Sequence, residues 1–109
     1  MEIKTSVFDS EKAFGYKQIT TFWSDFSIAD NFGLSAIKDT YKRAFNNWKS
    51  NYKYLTELVM VLNWKIWQYH EEGNMKYAEL YNELWGKADS YACGHLKGEE
   101  LAYFYRTTD

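Results

Sequence analysis

Proline is missing from all 109 residues, so no ring fixes a backbone angle or deletes an amide donor, and long helices can run without a kink. Cysteine occurs once, at Cys93, which excludes an internal disulfide and suits a reducing cytoplasm. The six glycines are scattered and never form the loop that cradles a phosphate. Net charge is only -2, which gives neither a global attraction to nucleic acid nor the heavy acidity that imitates it. The longest apolar run, Leu58-Val59-Met60-Val61-Leu62, is too short to cross a bilayer. The opening Met1-Glu2-Ile3-Lys4-Thr5 lacks the basic and apolar blocks of a signal peptide. A cytoplasmic chain with no membrane partner is expected.

Rings are abundant instead. Five Trp, ten Tyr and seven Phe make up 20% of the chain. At 13.0 kDa, with 46% hydrophobic and 26% charged residues, the chain has the balance of one globular domain spanning residues 1–109. So many rings exceed what one small core needs, and the surplus is expected at the surface, where amphipathic rings anchor partners.

The periodicity predicts an all-α fold, a small aromatic-rich bundle of four to five helices with an irregular N-terminal arm. Residues 1–16 hold no sustained period, although Ile3, Thr5 and Val7 alternate weakly. Ring density rises from Tyr16 to Phe26 without a good helical stripe. Ser27-Ile28-Ala29-Asp30 reads as a capping box opening a short helix that Gly33 would stop. Ser35 is the candidate cap of the next helix, where Ile37, Tyr41, Ala44, Phe45 and Trp48 recur at steps of three and four. The apolar phase continues through Asn46, Asn47, Ser50 and Asn51, yet ordinary helix lengths favour a break near Asn51.

From Tyr52 to Glu72 the apolar surface wraps most of the way around, which marks the central helix. Gly73-Asn74 reads as a glycine terminator followed by a fresh N-cap, hence a tight antiparallel turn. Tyr77, Leu80, Tyr81, Leu84, Ala88 and Ala92 are then the inward face of a helix running from Met75 to about Cys93. Glu99 to Tyr105 adds a last short helix with both glutamates favourably placed in its first turn.

Catalytic chemistry finds no foothold. His70 has no second histidine four residues on, and Cys93-x-His95 has no second ligand pair, so no metal is expected. Glu79 and Glu83 lie one turn apart, but no Glu-x-x-His faces them, and a solvated acidic face accounts for them. No Gly-x-Ser-x-Gly occurs, and Cys93 has no activating neighbour. Neither enzyme activity nor a cofactor is expected.

Charge and rings point to binding instead. Between Leu34 and Tyr54 the chain carries Lys38, Lys42, Arg43, Lys49 and Lys53 against Asp39 alone. Between Ile66 and Asp89 it carries Glu71, Glu72, Glu79, Glu83 and Asp89 against Lys76 and Lys87, so a basic and an acidic side are expected. On one continuous helix Lys38, Lys42, Lys49 and Lys53 would share a sector of about 60 degrees, a stripe suited to weak nucleic-acid contact or to an acidic protein surface. An ordinary wet helix face explains the same row. Tyr41, Phe45, Trp48, Tyr77 and Tyr81 have core spacing. Phe22, Trp23, Phe26, Phe32, Tyr103, Phe104 and Tyr105 lie in weakly periodic segments and either lid the bundle or meet another molecule. The candidate partner-binding set is Lys38, Lys42, Lys49, Lys53, Phe22, Trp23, Phe26, Tyr103 and Tyr105.

The blocks from Thr20 to Asp30, from Asn51 to Asn63 and from Gly98 to Phe104 resemble short accessory proteins of bacterial conjugative and integrative elements. The resemblance covers most of the chain from Thr20 onward and brings no active site with it. It implies a cargo protein that binds and disarms a host defence, anti-CRISPR inhibitors of Cas9 with its guide RNA being one such class. The near-neutral charge departs from those that imitate DNA. An alternative is a nucleic-acid-binding accessory factor for transfer or maintenance of the element. Either a monomer or a homodimer through the aromatic ends fits.

Overall fold

A computed structural model describes residues 19–108, which form five helices and, within that span, no strand. The expected arm over residues 1–16 lies outside the described residues. The helices are α1 (Ile19–Asp30), α2 (Leu34–Trp48), α3 (Tyr52–Glu72), α4 (Met75–His95) and α5 (Gly98–Thr108). The all-α bundle is therefore as the periodicity predicts.

The first helix corrects one expectation. Ile19, Phe22, Phe26 and Ala29 are buried at steps of three and four, so the ring-rich segment and Ser27–Asp30 form one helix rather than an irregular stretch and a capped turn. Four apolar side chains on one stripe outweigh the capping preference of Ser27, whose hydroxyl serves a tertiary contact instead. Gly33 then takes φ 107 and ψ -177, an extended left-sided conformation that only glycine adopts without strain. Gly33, not Ser35, occupies the cap position of α2, and no side chain caps it.

The break near Asn51 is where the chain composition places it. Lys49 and Ser50 form a turn, and the Asn51 side-chain oxygen accepts from the amides of Lys53 and Tyr54 at 3.1 Å each. At 21 residues, α3 is roughly 31 Å long. It packs against all four other helices. Leu55, Leu58, Val59, Val61 and Leu62 are all within 1% of full burial, which makes α3 the central rod. The turn to α4 uses Gly73 at φ 76, with Asn74 donating its amide to Tyr69 and accepting from the Tyr77 amide. Helix α4 runs through Gly94 to His95, two residues beyond the expected end near Cys93, and the His95 ring stacks on Tyr91.

Ring pairs stitch these interfaces together. Phe26 meets Tyr81 edge-on across α1 and α4, Phe45 meets Tyr91 across α2 and α4, and Tyr52 meets Tyr103 across α3 and α5. Trp48–Tyr54 joins α2 to α3, and Trp23–Trp64 joins α1 to α3. The ring surplus is thus mostly consumed inside the molecule: among the described residues only Phe32, Trp67 and Tyr105 are exposed rings.

Candidate functional site

The expected lysine stripe survives in part. Lys38, Lys42 and Lys49 share a sector of about 40 degrees on α2 and its C-cap, over a rise of roughly 16 Å. The turn at Lys49–Ser50 removes Lys53 from that helix and places it on the first turn of α3, so the four do not form one continuous row. Lys38, Lys42 and Lys53 are exposed, while Lys49 is half-buried with its ammonium 5.7 Å above the Phe45 ring. None of the four forms an ion pair with a described residue. The neighbouring Asp39 and Arg43 form no ion pair with a described residue either, and both line the groove between α1 and α2.

The ring candidates divide sharply. Phe22 and Phe26 are 2% and 0% exposed, so they are core residues and not contacts for a partner. Their i, i+4 spacing signals this only once Ile19 and Ala29 are read into the same stripe. Trp23 is half-buried. Tyr103 is half-buried against Tyr52, with Arg106 5.8 Å from its ring centre. Tyr105 is exposed, its hydroxyl directed at the Cys93 sulfur at 3.8 Å.

The most exposed large apolar residues stand elsewhere. Phe32 is 77% exposed and Ile28 57%, and both line a shallow 270 Å³ groove with Asp25, Ala36, Asp39 and Arg43. On α2 the groove residue Asp39 stands about 60 degrees and Arg43 about 100 degrees around the helix from Lys42, so the lysine sector lies to one side of the groove with Asp39 between them. A second apolar groove of 370 Å³ lies along the α3–α4 hairpin, where Trp67 and Met75 are exposed beside Ile66 and Ala78. Trp67 is out of phase with Leu62 and Tyr69, and that phase is the sequence signal for its exposure.

A buried polar cluster was not legible in the sequence. The Lys65 ammonium, on a residue 1% exposed, lies 2.8 Å from Asp30 Oδ2 and 2.9 Å from Ser27 Oγ. It also sits 4.2 Å from the Trp23 ring centre and within 3.4 Å of Gln68 Oε1. Tyr69 donates to Asp30 Oδ2 at 2.5 Å, Tyr81 donates to Asp30 Oδ1, and Tyr77 donates to the Asp30 carbonyl at 2.9 Å. Burial first, and then the carboxylate they face, raise the Tyr69 and Tyr81 hydroxyls far above the ordinary phenol range. Both stay protonated donors. The ammonium gives all three of its protons to fixed partners and the carboxylate accepts three hydrogen bonds, so the cluster clasps α1 to α3 and α4.

Between α3, α4 and α5 lies a cleft of 480 Å³ walled by Trp64, Trp85 and Phe104, with Asp89 and Cys93 on its α4 side. Among the described residues no group of three or more His, Cys, Asp or Glu side chains could hold a metal ion. No described helix is long and apolar enough to cross a membrane. No protein-family model matches the chain, and no curated protein or solved structure matches it at a significant level.

Proposed function

We propose that this chain is a non-catalytic binding protein of a mobile genetic element, acting in the cytoplasm of a bacterial host by inhibiting or modulating a defence nucleoprotein, Cas9 with its guide RNA being the leading candidate. The observation that carries the reading is the exposed α1–α2 edge. There two large apolar side chains, Ile28 and Phe32, stand in solvent, and α2 carries Lys38 and Lys42 farther around its surface with no ion-pair partner among the described residues. A desolvated apolar anchor flanked by cations is what an interface with an acidic or phosphate-bearing surface requires. The charge arrangement of α3 supports the same reading. Lys53 sits in its first turn and Glu71 and Glu72 in its last, each opposed by the helix dipole at about 0.3–1 kcal/mol. Charges held against the dipole do not serve the stability of this helix and are consistent with a role at its surface.

Addition of the purified protein to a panel of Cas9–guide complexes tests the proposal. It predicts suppressed cleavage of target DNA by at least one of them; undiminished cleavage throughout the panel removes the Cas9 form of the proposal. The lysines of α2 also favour a second reading, a nucleic-acid-binding accessory factor for transfer or maintenance of the element. Three phosphate contacts would give a salt slope near -2.7 on logarithmic axes by the rule of about 0.9 per phosphate. A flat salt dependence leaves only the protein-partner reading.

A further inference from the structure

The 370 Å³ groove of the α3–α4 hairpin takes its walls from both helices. By helical angle it spans Ile66 to Trp67 on α3 and Ala78 to Glu79 on α4, about 100 degrees of each. Ile66 and Ala78 are its least exposed apolar side chains, and Trp67 and Met75 stand in solvent on either side. From Met75 to Asn82 the α4 wall rises roughly 10 Å, two turns of a helix.

The charge around this groove has one sign. Glu79 is part of the wall, Glu83 follows it by one turn on α4, and Glu71 follows Trp67 by one turn on α3. Glu71 lies about 40 degrees beyond Trp67, and Glu83 about 40 degrees beyond Glu79, so an acid flanks each side. Glu71 and Glu79 form no ion pair with a described residue, and Glu83 meets Lys87 only at 3.7 Å with both side chains exposed, a contact of little worth. Between Ile66 and Glu83 the chain carries Glu71, Glu72, Glu79 and Glu83 against Lys76 alone. Glu71 also stands in the last turn of α3, where the helix dipole opposes it, so the stability of that helix does not account for it.

We infer that the α3–α4 groove docks a basic amphipathic helix of a partner protein. Two of its apolar side chains, one turn apart, sit between Trp67 and Met75, and its lysines or arginines meet Glu71, Glu79 and Glu83. Both walls are helices whose backbone groups are paired within themselves, so the groove offers no edge to an added strand and recognition falls to side chains. Helix α5 already packs against the same two helices nearer their other end, beside Val59 and Cys93. The groove is separate from the α1–α2 edge, and its assignment does not rest on the role given to that edge.

Three labelled helical peptides test this. One carries two leucines a turn apart flanked by lysines, the second has glutamates for those lysines, and the third has serines for the leucines. Anisotropy gives the affinities, and the Trp67 indole NH resonance gives the location. The lysine peptide should saturate and shift Trp67, with the other two weaker by at least about tenfold. Trp67→Ser/Met75→Ser changes only exposed side chains, so the variant stays folded and should lose the peptide. Glu71→Gln/Glu79→Gln/Glu83→Gln should weaken the lysine peptide by about tenfold and flatten its dependence on salt. Equal affinity for the glutamate or the serine peptide, undiminished binding by either variant, an unmoved Trp67 resonance, or no saturation in the millimolar range overturns the assignment. Sedimentation of the protein alone covers the competing occupant: a dimer that is lost in Trp67→Ser/Met75→Ser would give the groove to a second copy of the chain and overturn it too.

Discussion

Asp30 and Asp89 are the same side chain, one nearly buried at the end of α1 and one half-buried midway along α4, and they keep opposite company. Asp30 faces an ammonium 2.8 Å away, accepts from two tyrosine hydroxyls, and holds a third tyrosine through its carbonyl. Asp89 lines a mixed cleft with Trp64, Trp85, Asn63 and Thr107 and has no hydrogen-bond or ion-pair partner among the described residues. The first carboxylate accepts three hydrogen bonds and holds three helices in register. The second has no such partner among the described residues and keeps its access to water. Burial of a charge thus does not identify a functional group.

The largest effect expected from breaking this contrast is at Lys65. Lys65→Met leaves Asp30 buried without its cation and should cost about 3–5 kcal/mol in urea denaturation. The pair Asp30→Asn with Lys65→Met should recover most of that loss, since the stranded charge is then gone. Full loss in the double variant would mean that the clasp acts through packing alone.

High pH probes the same clasp. Tyr69 and Tyr81 have folded-state hydroxyls raised by burial and by Asp30, and burial pushes Tyr41 up to about 12. Their contribution is complete below pH 10, the unfolded value, and declines above it because the unfolded chain releases these protons more readily. Stability should fall by about 1.4 kcal/mol per pH unit for each such tyrosine once pH passes 10. Tyr81→Phe should flatten that slope, and denaturation curves across the alkaline range will reveal whether it does.

Asp89→Asn tests the other half of the comparison and should raise stability by about 1 kcal/mol, since an amide is cheaper to desolvate than a carboxylate. A smaller gain is expected at the surface. Lys53→Glu replaces a cation opposed by the α3 dipole and should add about 0.3–1 kcal/mol at low salt while weakening contact with an acidic partner. Thermal melts set beside binding curves would expose that opposition of sign.

Local chemistry made much of the fold legible. Asn51 and Gly73-Asn74 announce their breaks because caps and left-handed termini act within three or four residues of themselves. The burial of α3 follows from its nearly continuous apolar circumference. What was not legible is long-range. Lys65 and Asp30 stand 35 residues apart, and no local pattern says that a lysine in mid-helix will be drawn inward by an aspartate at the end of another helix. Ser27 misled for the same reason, since its hydroxyl answers Lys65 rather than its own backbone. The ring count misled in a different way. It assumed one core to fill, whereas the rings lie between pairs of helices, and the exposed apolar residues are set by phase and helix ends, as at Trp67 and Phe32.

The role given to the α1–α2 face is tested most directly by an inhibition titration against a Cas9–guide complex that the parent protein suppresses. The titration compares the parent, a folded Phe32→Ser/Lys38→Glu/Lys42→Glu variant, and Asp89→Asn. Loss of inhibition in the triple variant, with Asp89→Asn as potent as the parent, is the predicted result. Equal potency of the triple variant would contradict it.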